Sequence, residues 1–229
     1  MGLFNPNDWP GTSKGVVQSC ATEHSVIGYG VARLTDVCET PEQRCRSHIN
    51  TLRQQWLTAP WDLEKSVYFA EVPEVHLLIE AFFSSVKSLL DLIVQLVSTE
   101  GIVGLDINGF HRKGDVYGGK VLNALDRNAK ANRAGTAAKL SALIREHKNS
   151  WINEVIGARD LLVHPNRGAH QLMFEMSFVS QNGELTCTRI VPPRVGERPV
   201  HQYAAEQLEN VNKFARTFLA EIEAGGIAG

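Results

Sequence analysis

Apolar residues recur every three or four positions over most of the chain after residue 73, which is the spacing of one face of an α-helix. The clearest run covers residues 73–99, and the same spacing predicts helices over 116–131, from about 137 to 164, and over 202–223. The third helix has a broad apolar sector, formed by Leu140, Leu143, Ile144, Trp151, Ile152, Val155, Ile156 and Leu162. We therefore predict a mainly α protein built around a helical bundle.

Two other parts of the chain depart from the helical pattern. Residues 173–180 and 184–191 flank Asn182-Gly183, a dipeptide typical of the tight turn of a β-hairpin, so we predict a hairpin within about residues 171–192. The first 72 residues are mixed and irregular in pattern. There we expect a short strand at Val26–Leu34 and a helix over Pro41–Trp56, with Pro41 in its first turn.

This pattern suggests how the chain is organised. We expect residues 1–72 to form an extension packed on the core. Residues 73–229 would form the helical bundle, with the hairpin and the C-terminal helix included. Thr136 precedes the third helix and is a suitable N-cap residue for it.

Composition narrows the class of protein. The chain has 229 residues, 43% of them apolar and 21% charged, which is ordinary for a globular protein. It shows no apolar run of about 18 residues and no secretory signal, so we expect a cytoplasmic protein with no membrane partner. The four cysteines lack zinc-binding spacing, and His76 and Glu80 lack a third ligand. We therefore predict no metal and no cofactor.

Charge is unevenly distributed. The net charge is only −2, but residues 110–148 contain nine Lys and Arg against three acidic residues, a local charge of +6. Such asymmetry is compatible with a surface that faces nucleic acid, and equally with a solvated helix face. Arg127 and Lys130 belong to this block, and we select them as candidate RNA-binding residues.

The end of the third helix carries the most distinctive chemistry. Arg159 falls in the apolar sector, where a guanidinium is costly unless it is paired or lines an anion-binding cavity. His164 precedes Pro165, which must end the helix, so the imidazole can turn back toward Arg159. A cation beside a group that titrates near neutral pH suits a phosphodiester.

RNA carries its own nucleophile, the 2′-hydroxyl. A histidine can move the protons of the cleavage reaction, and an arginine can bind the non-bridging phosphate oxygens, without a metal. The alternative is structural: Arg159 would pair with Glu80 or Asp91 inside the bundle, and His164 would cap the carbonyls at the helix end.

Arg159, the polar Asp160 beside it, and His164 after four intervening residues resemble the motif of the HEPN superfamily of helical-bundle domains. The motif closes a long helix that contains Trp151 and Ile152, and the acidic residues Glu80 and Asp91 on an earlier helix are also similar to the family. The resemblance covers roughly residues 73–167. It implies a HEPN-like bundle with an appended hairpin, similar to small uncharacterised bacterial members.

The resemblance also implies a function. Many HEPN proteins are metal-independent endoribonucleases, often toxins or defence effectors, in which two motifs meet across a homodimer. Arg159 and His164 would then be catalytic, Asp160 would orient one of them, and Glu80 and Asp91 would support the site. Asn166 and Arg167 would contact RNA. An antitoxin or other regulatory protein would be a further partner. The alternative within the family is a non-catalytic interaction or nucleotide-binding module.

Overall fold

The computed structural model describes residues 3–60, 67–104, 106–114, 116–131, 135–163 and 172–225, with only the backbone given for 161–163. It is mainly α, as predicted. Within the described residues the α-helices are α1 Gly11–Glu39, α2 Pro41–Thr58, α3 Pro73–Thr99, α4 Gly119–Ala131, α5 Thr136–His147, α6 Asn153–Val163 and α7 Val200–Ala224. No helix in these ranges combines the length and apolar character needed to cross a membrane.

The strands form one small antiparallel sheet and one short ribbon. The sheet has the order β1–β2–β3, with β1 Val67–Glu71, β2 Met173–Gln181 and β3 Glu184–Val191. The predicted hairpin is confirmed, and its turn has positive φ at both Asn182 (53°) and Gly183 (80°), as a type I′ turn requires. β4 Arg194–Val195 and β5 Arg198–Pro199 make the ribbon.

The prediction for the N-terminal region was wrong in part. The predicted helix over Pro41–Trp56 is confirmed as α2, but the strand expected at Val26–Leu34 lies within α1. Burial along α1 follows helical steps of three, four or seven residues, at Val17, Cys20, Ile27, Val31, Leu34 and Cys38. The apolar stripe is diluted by exposed Val26 and Tyr29 and by glycines, which hid the helical period.

The chain forms two compact units, each assembled from separate segments. Unit 1 comprises residues 1–29, 81–160 and 206–229, and unit 2 comprises 30–80 and 161–205. The units therefore interleave along the sequence, and neither has a border at residue 72. The predicted division into an extension, residues 1–72, and a bundle, residues 73–229, stays a prediction.

Unit 1 has an aromatic and aliphatic core drawn from several helices. Its largest fully buried side chains include Phe82, Phe83, Leu89, Ile93, Phe110, Phe214 and Phe218. Unit 2 is held by its sheet and by a network of ion pairs, in which Arg33 and Arg44 each contact both Asp36 and Glu74 at 2.6–3.2 Å. Burial of apolar surface is the main stabilising contribution in unit 1, whereas such partly exposed ion pairs contribute little each.

The helix that carries Arg159 is not regular. Lys148–Ile152 forms a π-helical turn between α5 and α6, and an extra residue in one turn rotates the following side chains by about 90°. Val155 and Ile156, which follow this turn, are still buried as predicted, whereas Arg159 is only half-buried. The predicted N-cap at Thr136 is wrong by one residue, because extended Gly135 occupies that position without a side-chain cap.

A buried histidine adjoins the π-helical turn in unit 1. His147 is 4% exposed, accepts a hydrogen bond at Nδ1 from Nε1 of Trp151 at 2.8 Å, and contacts the Phe214 ring in a tilted arrangement with the ring centres 5.1 Å apart. Burial lowers the pKa of His147 below its usual value of 6.5. Protonation of Nδ1 would also remove the acceptor that Trp151 uses, so the folded state favours the neutral imidazole.

We expect His147 to make folding sensitive to acid. Above about pH 7 the imidazole is neutral in both states and contributes no pH dependence; below 6.5 the unfolded chain takes up the proton first, so the unfolding free energy falls. Urea unfolding of the wild type and of His147→Gln, which keeps a hydrogen-bond acceptor, measures this across about pH 5–7.5. The wild type should lose more stability on acidification than the variant. Parallel pH profiles would contradict the assignment.

Candidate functional site

Arg159 and Asp160 lie near the end of α6, which stops at Val163, two residues before Pro165. Nη1 of Arg159 donates to Oδ1 of Asp160 at 3.2 Å. The side chain of Arg159 is 33% exposed, and its buried Nε has no hydrogen-bond partner among the described residues. The guanidinium is therefore tethered to Asp160 through Nη1 and is partly open to solvent, which leaves room for a second group.

Two further residues complete the site, and neither was predicted from the sequence. The hydroxyl of Tyr117 donates to Oδ2 of Asp160 at 2.8 Å, and Nη2 of Arg112 lies 3.5 Å from the same oxygen. Arg112 also donates to the Tyr117 hydroxyl, and its Cζ lies 3.8 Å from the centre of the Tyr117 ring. We call Arg112, Tyr117, Arg159 and Asp160 the Asp160 cluster. Its formal charge is +1, so it favours an anionic ligand.

The loop that carries Arg112 and Tyr117 is fixed by backbone and packing. Lys113 and Val116 exchange backbone hydrogen bonds at 3.0 and 3.3 Å, which closes the loop between the two cluster residues. Gly118 follows with a φ of 66°, and a Cβ at this position would overlap the buried ring of Phe110. A glycine is therefore required where the loop turns over Phe110.

Asp91, predicted as a supporting residue, lies on α3 and holds this loop. Its Oδ1 accepts the backbone N–H of Phe110 at 2.6 Å, and Lys87 contacts both carboxylate oxygens at 2.6 Å. Asp91 is thus engaged with Lys87 and Phe110, and the ion pair of Arg159 within the described residues is with Asp160. Asp91 supports the Asp160 cluster indirectly, through the segment from Phe110 to Tyr117.

Glu80, the other predicted supporting residue, is exposed on α3 and has no ion pair within the described part of the chain. Among the described side chains, Arg159 therefore does not pair with Glu80 or Asp91, as the structural alternative would require. Arg159 instead pairs with its immediate neighbour in sequence. That pairing leaves the guanidinium partly open to solvent.

Arg127 and Lys130 lie together in a groove of about 620 Å³ on unit 1. The groove is lined by Asp106, Ile107, Lys113, Lys120, Asn123, Asp126, Arg127 and Lys130. Its α4 residues recur at steps of three or four and so share one face of the helix. Asp126 is already engaged, since it accepts from Ser141 at 2.6 Å and pairs with Arg145 at 2.5 Å. We call this surface the α4 groove; its lining is basic.

Three predicted site residues, His164, Asn166 and Arg167, lie outside the described residues. In the ranges that the structure does describe, no group of three or more His, Cys, Asp or Glu side chains is arranged to hold a metal ion. The residues that the structure brings together are thus Arg159 with Asp160, and Arg127 with Lys130.

Comparison of the chain with protein-family models, with curated proteins and with solved structures gave no match. The interpretation of the site therefore rests on its geometry and on the residues of the sequence.

We expect Gly118→Ala to destabilise the protein more than Gly114→Ala. Both glycines have positive φ, at 66° and 59°, so each alanine costs roughly 1 kcal/mol in backbone strain. Only at Gly118 does the added methyl overlap Phe110, which adds roughly 1–3 kcal/mol, whereas Gly114 has open space around it. Urea unfolding of both variants measures the difference. Equal losses would show that Gly118 does not anchor the loop on Phe110.

Proposed function

We propose that this protein is a metal-independent endoribonuclease of the HEPN type, which cleaves RNA by attack of the 2′-hydroxyl on the adjacent phosphate. One observation carries the proposal: Arg159 is held by Asp160 near the end of α6, is partly exposed, and lies five residues before His164. The same sequence motif led to the resemblance.

In the proposed reaction Arg159 binds the scissile phosphate. Its planar guanidinium presents parallel N–H donors that match the non-bridging oxygens, where negative charge grows in the transition state. Asp160 fixes one side of the guanidinium and leaves the remaining donors for the phosphate. Such preorganisation lowers the barrier because the donors need not reorient during the reaction.

His164 would move the protons of the reaction. An imidazole near neutral pKa can accept the proton of the 2′-hydroxyl or donate one to the departing 5′-oxygen. The bond from the 2′-oxygen to phosphorus forms while the bond to the 5′-oxygen breaks. The products are a 2′,3′-cyclic phosphate and a free 5′-hydroxyl.

Tyr117 and Arg112 would act through Asp160. By donating to Oδ2, the Tyr117 hydroxyl leaves Oδ1 for Arg159 and limits rotation of the carboxylate. Arg112 adds a second positive charge; its side chain is 46% exposed, and its guanidinium lies over the Tyr117 ring. We therefore regard Tyr117 as a positioning residue, and Arg112 as a second group able to attract the RNA backbone.

The α4 groove is the best-supported surface for the rest of the RNA. From Lys120 to Lys130 the helix advances about 15 Å, so its cations form a line instead of a single point. A line of cations suits the regularly spaced phosphates of a nucleic-acid strand. Asn166 and Arg167 would add contacts beyond His164. By the family resemblance, the active form would be a homodimer and its activity would be controlled by an antitoxin or other regulatory protein.

A second candidate is a non-catalytic HEPN module that binds a partner or a nucleotide. The observation that favours it is that Asp160 is engaged by three neighbours, Arg112, Tyr117 and Arg159. A carboxylate so placed partly neutralises Arg159, and an interaction module would tolerate that.

Incubation with single-stranded RNA in excess chelator separates these candidates. We expect cleavage with cyclic phosphate ends, reduced about 100-fold or more in Arg159→Ala and in His164→Ala. Arg216→Ala removes an exposed arginine of α7 and should cleave at the wild-type rate. If both site variants cleave normally, these residues are not catalytic. If the wild type does not cleave, the module is favoured.

Binding to the α4 groove is measured with a 2′-O-methyl oligonucleotide, which lacks the nucleophile and cannot be cleaved. Lys120→Gln and Arg127→Gln should each weaken binding and reduce the slope of log K against log salt by about 0.7. Lys14→Gln, which changes an exposed lysine of α1, is the matched control. Unchanged slopes in the two groove variants would place the RNA elsewhere.

A further inference from the structure

A second cationic site lies in unit 2, between α2 and β3. A cavity of about 360 Å³ is lined by Pro41, Glu42, Arg46, Ile49, Asn50, Arg53, Cys187, Thr188, Arg189 and Ile190. Its volume is at the lower end of the range for small-molecule sites. It is independent of the Asp160 cluster and of the α4 groove, whose residues all belong to unit 1.

Three arginines and one carboxylate, that of Glu42, line this cavity. Among the described residues, Arg46, Arg53 and Arg189 form no ion pair. Nε of Arg53 donates to the backbone oxygen of Leu185 at 3.1 Å, which anchors this side chain on β3 and leaves its terminal nitrogens available. The cavity therefore places three positive charges against one carboxylate, and its arginines form no ion pair with the described residues.

A β-bulge shapes the strand side of the cavity. Ser177 pairs with Arg189 and Phe178 pairs with Cys187, so Thr188 is an extra residue in β3. In a regular strand consecutive side chains face opposite sides, whereas a bulge breaks this alternation. The bulge takes Thr188 out of the regular alternation, within the segment 187–190 that lines the cavity. Bulges often re-aim side chains next to binding sites.

Cys187 also lines this cavity, and its thiol adds no negative charge to it. Burial raises the pKa of Cys187 above its usual value; a hydrogen bond to the Arg189 backbone opposes this, and the smaller effects of Glu42 and Arg53 have opposite signs. The thiol is therefore neutral at physiological pH. The charge of the cavity stays positive.

We infer that this cavity binds a small molecule that carries a phosphate or diphosphate group. Guanidinium groups match phosphate oxygens in pairs, and three arginines line this one volume. Three cations around one cavity suit a compact polyanion, in contrast to the line of cations on α4. Asn50 offers neutral hydrogen-bond donors, and Ile49 and Ile190 offer apolar surface for the body of the ligand. The Thr188 hydroxyl already donates to the backbone oxygen of Ser177 at 3.3 Å.

Calorimetric titration with inorganic pyrophosphate and with adenosine diphosphate tests the inference. We expect saturable binding of at least one probe at one site per chain. Arg46→Gln and Arg189→Gln should each weaken it about 10-fold or more, because each removes charge-assisted hydrogen bonds. Arg216→Gln, on α7, should bind like the wild type. Failure of both probes, or equal binding by all three variants, would overturn the inference.

Cys187 provides a second measurement. Cys20, Cys38 and Cys45 are buried, and Cys187 is partly exposed, so a maleimide should label the folded protein at Cys187 first. The probe should slow this labelling at similar concentrations in the wild type and in Arg216→Gln, and only at about 10-fold higher concentration or more in Arg46→Gln. If the probe does not slow labelling of the wild type, the ligand binds elsewhere. Neither measurement depends on RNA cleavage, so this inference and the proposed ribonuclease activity fail separately.

Discussion

The candidate site depends on the hydrogen bonds and ion pairs that the carboxylate of Asp160 makes. One oxygen accepts from Arg159, and the other accepts from Tyr117 and lies near Arg112, so a single side chain connects α6 with the loop before α4. That loop is in turn held by Asp91 and by the packing of Gly118 on Phe110. Without Asp160, the two arginines would repel each other, and Tyr117 would lose its acceptor.

The protein carries two different arrangements of positive charge. On α4 the cations follow the helix axis, and three arginines line the cavity between α2 and β3. A set of cations binds best a ligand whose negative charges have the same spacing, so we propose a strand of RNA for the first surface and a compact phosphate group for the second. The net charge of −2 conceals both surfaces, because acidic residues elsewhere offset them.

Local patterns predicted α3, α4, α7 and the β2–β3 hairpin, since period and turn chemistry reside in neighbouring residues. The pattern did not predict α1, where apolar positions are sparse. It also did not predict β1, whose partner strand β2 lies about 100 residues away in the sequence. The same limit applies to the site. Arg159 and Asp160 are adjacent in sequence and were found, but Tyr117 joins Asp160 from 43 residues away, and no periodic signal connects them.

Asp160→Asn tests the central claim most directly, because it keeps the shape of the side chain and removes its charge. Single-turnover cleavage and binding of a 2′-O-methyl analogue are measured on the same variant in excess chelator. If Asp160 positions Arg159 for the phosphate, binding should be retained or strengthened by the loss of a negative charge, while cleavage falls about 10-fold or more. Cleavage at the wild-type rate with unchanged binding would contradict the account.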